Sequence, residues 1–310
     1  MTDTHNTSRR RFIRNIALAG GAALTWSLSG SAKTDVFLKK AVPSSGELLP
    51  VIGLGSSRTF NVGHDKQSMD KCASVMQHFF EQGGVLVDSS PMYGSSQPVI
   101  GYGLNKIKQY DKVFAADKVW ISDADDGPEQ IEQSRQYWGV KKFDLMQVHN
   151  LVAWRMHLQT LQNMKQAGNL RYLGITTSHG RRHQELERIM QQHALDFVQL
   201  TYNIEDREVE ARLLPIARER GIAIIVNRPF QRGDLIEKLA RYPLPKWASE
   251  IECKTWAQFL LKYIVSHPAV TVAIPATTRV DHLVENMQAM RGPMPDAELR
   301  KRMSDHVEAL

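Results

Sequence analysis

Short apolar runs and helical stretches alternate along most of this chain, and that alternation constrains its fold more than any other feature. The runs are Pro50 to Leu54, Val85 to Val87, Val113 to Ala116, Leu145 to Val148, Tyr172 to Thr176, Phe197 to Leu200, Ile222 to Val226 and Val270 to Ile274. They are continuous rather than alternating, which describes strands covered on both faces. Between or after them, helical periodicity is found over Met69 to Glu81, Pro98 to Ile107, Pro128 to Trp138, Leu158 to Ala167, Gln184 to Gln192, Glu208 to Arg220, Trp256 to Ser266 and Val280 to Met290. Strand-helix alternation implies parallel pairing, and eight such units predict a closed (β/α)8 TIM barrel, an α/β fold, with an open doubly wound sheet as the alternative. Gly83-Gly84, Gly168 and Gly221 follow helical stretches, where C-terminal caps are expected. A chain of 310 residues, 42% of them hydrophobic, suits one barrel. Phe230 to Ser249 interrupts the pattern with Pro243, Pro245 and Trp247, and reads as a loop over the barrel mouth.

Residues 1–32 have a different character. Ser8-Arg9-Arg10-Arg11-Phe12-Ile13-Arg14 is followed by an apolar stretch from Ile16 to Leu28 and by Gly30-Ser31-Ala32. This resembles a twin-arginine signal peptide, too short to span a bilayer, so the expected organisation is a signal over 1–32 and a barrel over 33–310. The expected location is the periplasm, with the twin-arginine export machinery as a partner and no stable membrane span. Half of the formal net charge of +6 lies in this segment, and no basic-aromatic interleaving follows it, so nucleic acid is not an expected partner. Export in the folded state also suggests a bound cofactor. The two cysteines, Cys72 and Cys253, have no metal-type spacing and are expected to be buried thiols.

Active sites of parallel α/β folds gather at the carboxyl ends of the strands. Asp88, Tyr93, Lys118 and His149 each stand at or just past such an end. A phenol is a weak acid, with an unperturbed pKa of about 10, and a neighbouring ammonium lowers that value. Lys118 is expected to supply that charge, Asp88 to hold Lys118, and His149 to orient a substrate oxygen toward Tyr93. No nucleophile elbow is present, and the set suits a developing alkoxide, as formed when hydride is delivered from a nicotinamide. Singly, each residue has a bland explanation: an Asp caps a helix, a Tyr fills a core, a Lys is solvated. Their joint placement argues for one site. His179 and His183 share a helical spacing used by metal ligands, but no third ligand accompanies them, and no metal is expected. Trp154 is read equally as a substrate wall or as outer-layer packing.

From about Val36 onward the chain resembles the aldo-keto reductases. Val87-Asp88-Ser89-Ser90-Pro91-Met92-Tyr93-Gly94-Ser95 is similar to their aspartate-tyrosine signature, and Lys118 and His149 stand where their lysine and histidine belong. The resemblance implies a barrel using NADP(H), or less often NAD(H), to interconvert a small-molecule carbonyl and an alcohol, with Tyr93 as general acid/base. It further implies dinucleotide contacts at Gly55, at Gln199 and at the Glu285-Asn286 pair. The chain departs from the pattern at Thr176-Thr177, where Ser-Asn is usual, and at Asn227, where an aromatic is common. It also lacks the basic residue expected just after Ile274-Pro275, although Arg279 and His282 follow shortly and are the candidates for reaching a 2'-phosphate. These departures leave open a second reading, a dinucleotide-binding sensor with little turnover.

Overall fold

The computed structural model describes residues 37–310, so the expected signal over 1–32 lies outside the described residues. A short antiparallel hairpin comes first, β1 (Lys39–Ala41) and β2 (Leu48–Pro50), paired Lys39 to Pro50. Eight parallel strands follow: β3 (Leu54–Gly55), β4 (Leu86–Asp88), β5 (Phe114–Val119), β6 (Phe143–Val148), β7 (Leu170–Thr176), β8 (Phe197–Thr201), β9 (Ala223–Asn227) and β10 (Val272–Ala273). Each pairs with its neighbour in chain order. The ends of the series meet: Ile52 bridges Ala273 in parallel, Gly53 N donates to Ala273 O at 2.8 Å, and Gly55 N donates to Pro275 O at 3.0 Å. The ring therefore closes, and the open-sheet alternative falls.

Side-chain alternation divides the apolar residues into two groups. Leu86, Phe114, Ala116, Leu145, Phe197, Ala223, Ile225 and Val272 point inward and form a barrel core. Their neighbours Val87, Ala115, Val198, Ile224 and Val226 point outward into a larger layer shared with the helices. Because both faces are covered, the strands read as unbroken apolar runs. The hairpin, which the alternation did not predict, closes the amino-terminal end of the barrel. Val42 and Leu49 join the inner core, and Tyr172 near the start of β7 donates to Ser45 Oγ at 2.6 Å.

The helices are α1 (Lys66–Glu81), α2 (Ser96–Ile107), α3 (Gly127–Trp138), α4 (Trp154–Gln166), α5 (His183–Gln192), α6 (Leu213–Arg220), α7 (Asp234–Leu239), α8 (Trp256–Val265), α9 (Val280–Gln288) and α10 (Ala297–Glu308). Gly221 caps α6 in the left-handed conformation, φ 64°, with its N–H on Ala217 O. Three features differ from expectation. Phe230 to Ser249 lines the cavity at the barrel mouth with Phe230, Arg232, Ile236 and Ala240, but it is not simply a loop, since it holds α7 and the start of a 3-10 turn, Lys246–Ile251. The helix α10 lies past the last strand. Trp154 begins α4, donates from Nε1 to Glu185 Oε1 at 2.9 Å and packs in the outer layer, so it is not a substrate wall. Both cysteines are buried and unpaired, and burial pushes each thiol up to about 11.

Candidate active site

The carboxyl ends of the strands open onto a cavity of about 990 Å³. Asp88 is the last residue of β4, Lys118 the penultimate residue of β5, and His149 the first residue past β6. Tyr93 closes a 3-10 turn over Pro91–Tyr93: Pro91 supplies a fixed φ, and the Ser90 hydroxyl accepts from Met92 N at 3.1 Å. Gly94, at φ 60°, then turns the chain into α2.

Asp88 organises this floor. Its Oδ1 lies 2.5 Å from Lys118 Nζ, and its Oδ2 accepts from Gln199 Nε2 at 2.9 Å and from Gln147 Nε2 at 3.2 Å. Lys118 also donates to Ser89 O at 2.7 Å. Its ammonium sits 5.3 Å from the Tyr93 ring centre, and the Tyr93 ring meets His149 edge-on at 5.6 Å. Tyr93, His149 and Asp88 line the cavity, with Lys118 buried behind them. The four residues that the strand ends suggested are thus brought together.

Their charges follow from this packing. Burial alone depresses Lys118, but the negative charge of Asp88, aided by Tyr93 and Asp117, outweighs it and holds the ammonium above its ordinary range. Burial, with Lys118 adding to it, drives His149 down to about 2, so the imidazole is neutral. The expectation for Tyr93 is corrected: its pKa is raised, because burial outweighs the downward pull of Lys118, and Asp88 and Asp117 oppose that pull. Asp117 points away from the cavity, fully enclosed, and burial lifts it to about 7 against the effects of Lys118 and of Gln97, whose Nε2 donates at 2.8 Å.

The remaining candidates divide. Gly55, Thr176, Thr177, Gln199, Asn227, Glu285 and Asn286 all line the cavity. Thr176 Oγ1 accepts from Asn150 N at 3.1 Å and so fixes the turn carrying His149. Asn227 joins three strand ends: its Nδ2 donates to Thr177 O at 3.0 Å, and its Oδ1 accepts from Thr201 Oγ1 at 2.6 Å. Gly55 is required by the barrel seam, since a Cβ there would stand 2.8 Å from Ile274 O. Arg279 is placed off the cavity wall with Asp281 as its ion-pair partner, whereas His282 is on the wall. His179 and His183 have separate partners: His179 Nδ1 is 2.8 Å from Ser178 Oγ, and His183 Nδ1 is 3.5 Å from Glu208.

Sequence reasoning missed several residues. Arg228 and Arg232 line the cavity without a carboxylate ion-pair partner among the described residues, and Arg228 Nε is buried without any hydrogen bond. Two arginines just past the end of β9 were a readable signal. Ser90 Oγ lies 2.6 Å from His149 Nδ1, and nothing in the local pattern announced that contact. Chemically, the floor offers a buried acid, a neutral imidazole and a fixed ammonium. The walls offer cations and amides.

The model of the aldo/keto reductase family matches residues 51–304. Aldo-keto reductase str7 of Strobilurus tenacellus is 24% identical over 298 residues, covering 81% of this chain and 87% of that protein. The protein named aldo-keto reductase yakc [NADP(+)] of Schizosaccharomyces pombe is 21% identical over 310 residues, covering 85% and 91%. Among solved structures, an aldo/keto reductase of Klebsiella pneumoniae in complex with NADP and acetate superposes with a TM-score of 0.74 at 20% identity, covering 87% of this chain and 96% of that one. With the family model spanning most of the barrel, this chain belongs to the aldo/keto reductase family.

Proposed function

We propose that this protein is an NADP(H)-dependent oxidoreductase that interconverts a small carbonyl compound and the corresponding alcohol, with Tyr93 as general acid/base. The observation that carries the proposal is the convergence of Tyr93, Lys118, Asp88 and His149 on one cavity floor, with Lys118 Nζ 5.3 Å from the Tyr93 ring centre. The cavity fits a dinucleotide. It has the size of a ligand site, and it holds buried polar atoms with no hydrogen-bond partner among the described residues, Thr177 Oγ1 and Arg228 Nε. Thr177, Gln199 and Asn227 would hold the nicotinamide end, Arg228 and Arg232 the phosphates, and Glu285 and Asn286 the adenine end. When bound, the dinucleotide supplies or accepts the hydride. NADP(H) is favoured over NAD(H) by the names of the relatives and by this cationic wall.

The protein's own part is the proton. Tyr93 stays protonated well past neutral pH and gives its proton to the substrate oxygen as negative charge builds there, while Lys118 stabilises the phenolate left behind. Asp88 keeps Lys118 in place, and neutral His149 orients the oxygen. The purified protein, assayed with NADPH and a panel of aldehydes, tests this. Tyr93→Phe is expected to lower turnover by about 10²- to 10⁴-fold while NADPH affinity, read by fluorescence titration, is retained. An undiminished rate would remove the proposal.

We further propose that residues 1–32 direct export by the twin-arginine route, which the arginine cluster, apolar stretch and small-residue ending support. Amino-terminal sequencing of protein recovered from the periplasm is expected to begin near Lys33, and protein found only in the cytoplasm with its full N-terminus would count against export.

A further inference from the structure

Ser90 is fully buried and its hydroxyl has two neighbours, Met92 N at 3.1 Å and His149 Nδ1 at 2.6 Å. A serine hydroxyl offers one hydrogen and two lone pairs. The backbone N–H of Met92 can only donate, so it occupies a lone pair. The hydroxyl hydrogen then has one acceptor in reach among the described residues, His149 Nδ1. If Nδ1 carried the imidazole proton, two donors would face each other and the buried hydroxyl hydrogen would lose its partner, a costly arrangement. The imidazole is neutral, so it carries a single proton, which must then sit on Nε2. That nitrogen has no hydrogen bond among the described residues and is left to the cavity that His149 lines.

We propose that Ser90 is a positioning residue that selects the Nε2–H tautomer of His149, so that the imidazole meets a substrate oxygen as a hydrogen-bond donor. The catalytic part of this assignment rests on the function proposed above; the tautomer itself does not. An Nδ1–H imidazole would turn a lone pair toward the substrate oxygen and repel it. The hydroxyl two residues past Asp88 thus connects the turn that presents Tyr93 to the ring that aligns the substrate.

The test is nitrogen-15 NMR of histidine-labelled protein free of dinucleotide, at neutral pH, where the two-bond correlations distinguish a protonated ring nitrogen from a bare one. The wild-type His149 ring is expected to show protonated Nε2 and bare Nδ1. In Ser90→Ala the Nδ1–H form is expected to appear, and Ser90→Thr, which keeps the hydroxyl, to restore the wild-type pattern. In parallel, Ser90→Ala is expected to lower kcat roughly 10-fold, the scale of one lost buried hydrogen bond, with KM for the dinucleotide unchanged and activity recovered in Ser90→Thr. A wild-type ring with protonated Nδ1, or an unaltered tautomer in Ser90→Ala, overturns the assignment. Because the wild-type spectrum needs neither turnover nor a variant that folds, absence of carbonyl reduction would sink the proposed function while leaving this assignment to stand or fall separately.

Discussion

Asp88 and Lys118 form an ion pair of 2.5 Å in which the side chains are 2% and 0% exposed, so neither charge has water to fall back on. A buried pair of this kind adds little net stability, but breaking it strands a charge at a cost of about 3–5 kcal/mol. Lys118→Met is therefore expected to lower the unfolding free energy in urea by roughly that amount. Asp88→Asn combined with Lys118→Met should lose distinctly less than the two single changes together, because no charge remains stranded. Additive losses would show that the pair is not the coupling unit described above.

The catalytic pH profile follows from Tyr93 and His149. Tyr93 has a raised pKa, so the protonated phenol needed for carbonyl reduction persists at every pH below that value. Reduction is expected to show no basic limb up to about pH 10, the unperturbed phenol value. Alcohol oxidation, which needs the phenolate, is expected to rise with pH across the same range. Because His149 is held at about 2, no limb from an imidazole near pH 6 to 7 should appear. A reductive rate that falls as pH passes from 7 to 8 would contradict the raised phenol.

Asp117 gives a stability signature of its own. Its folded pKa of about 7 lies above the ordinary 3.8, so between those values the native state binds more protons than the unfolded chain. The sign is then fixed: this carboxyl contributes a loss of stability as pH rises from about 4 to about 7. Asp117→Asn, which retains an oxygen to accept from Gln97, should flatten that part of the stability-pH curve when melting is followed by calorimetry. An identical slope in the two proteins would rule the carboxyl out as its source.

Arg228 and Arg232 should govern dinucleotide affinity. Burial, with the like charge of Arg232 adding to it, holds Arg228 below its ordinary range, so the two guanidinium groups repel until an anion joins them. Arg228→Gln with Arg232→Gln is expected to weaken NADPH binding by roughly 10-fold or more, as loss of charge-assisted hydrogen bonds does. The wild-type affinity should also fall more steeply with salt than that of the double variant. Equal affinities and equal salt slopes would assign these arginines another role.

The barrel was legible because its strands announce themselves. Val87 and Leu86 face opposite ways, yet both are buried, and helix starts such as Trp256 and Val280 match the periodicity. The hairpin was not, since β1 has three residues, two of them lysines, and no apolar run marks it. In α10, Arg300, Met303, Ser304 and Val307 are buried at helical spacing, but only two of them are apolar, so the stripe is faint. The four floor residues were visible from their places at strand ends. The hydroxyl of Ser90 and the direction of Tyr93 were not, because each depends on which groups enclose it, and enclosure is set by contacts distant in the chain. Lys118 beside a phenol suggests acidification until the burial of that phenol, which outweighs the ammonium, is counted.

The seam marked by the Ile52–Ala273 bridge joins the two extremes of the barrel sequence beside β3 and β10, strands of only two residues each. Nothing earlier in synthesis can substitute for that junction, so a nascent chain stopped short of Val272 carries two open sheet edges, along β3 and β9. Such edges recruit other strands, including those of a second copy. The last helices and the final strand therefore act as the lock on the whole ring, and the protein has little tolerance for truncation at its carboxyl end.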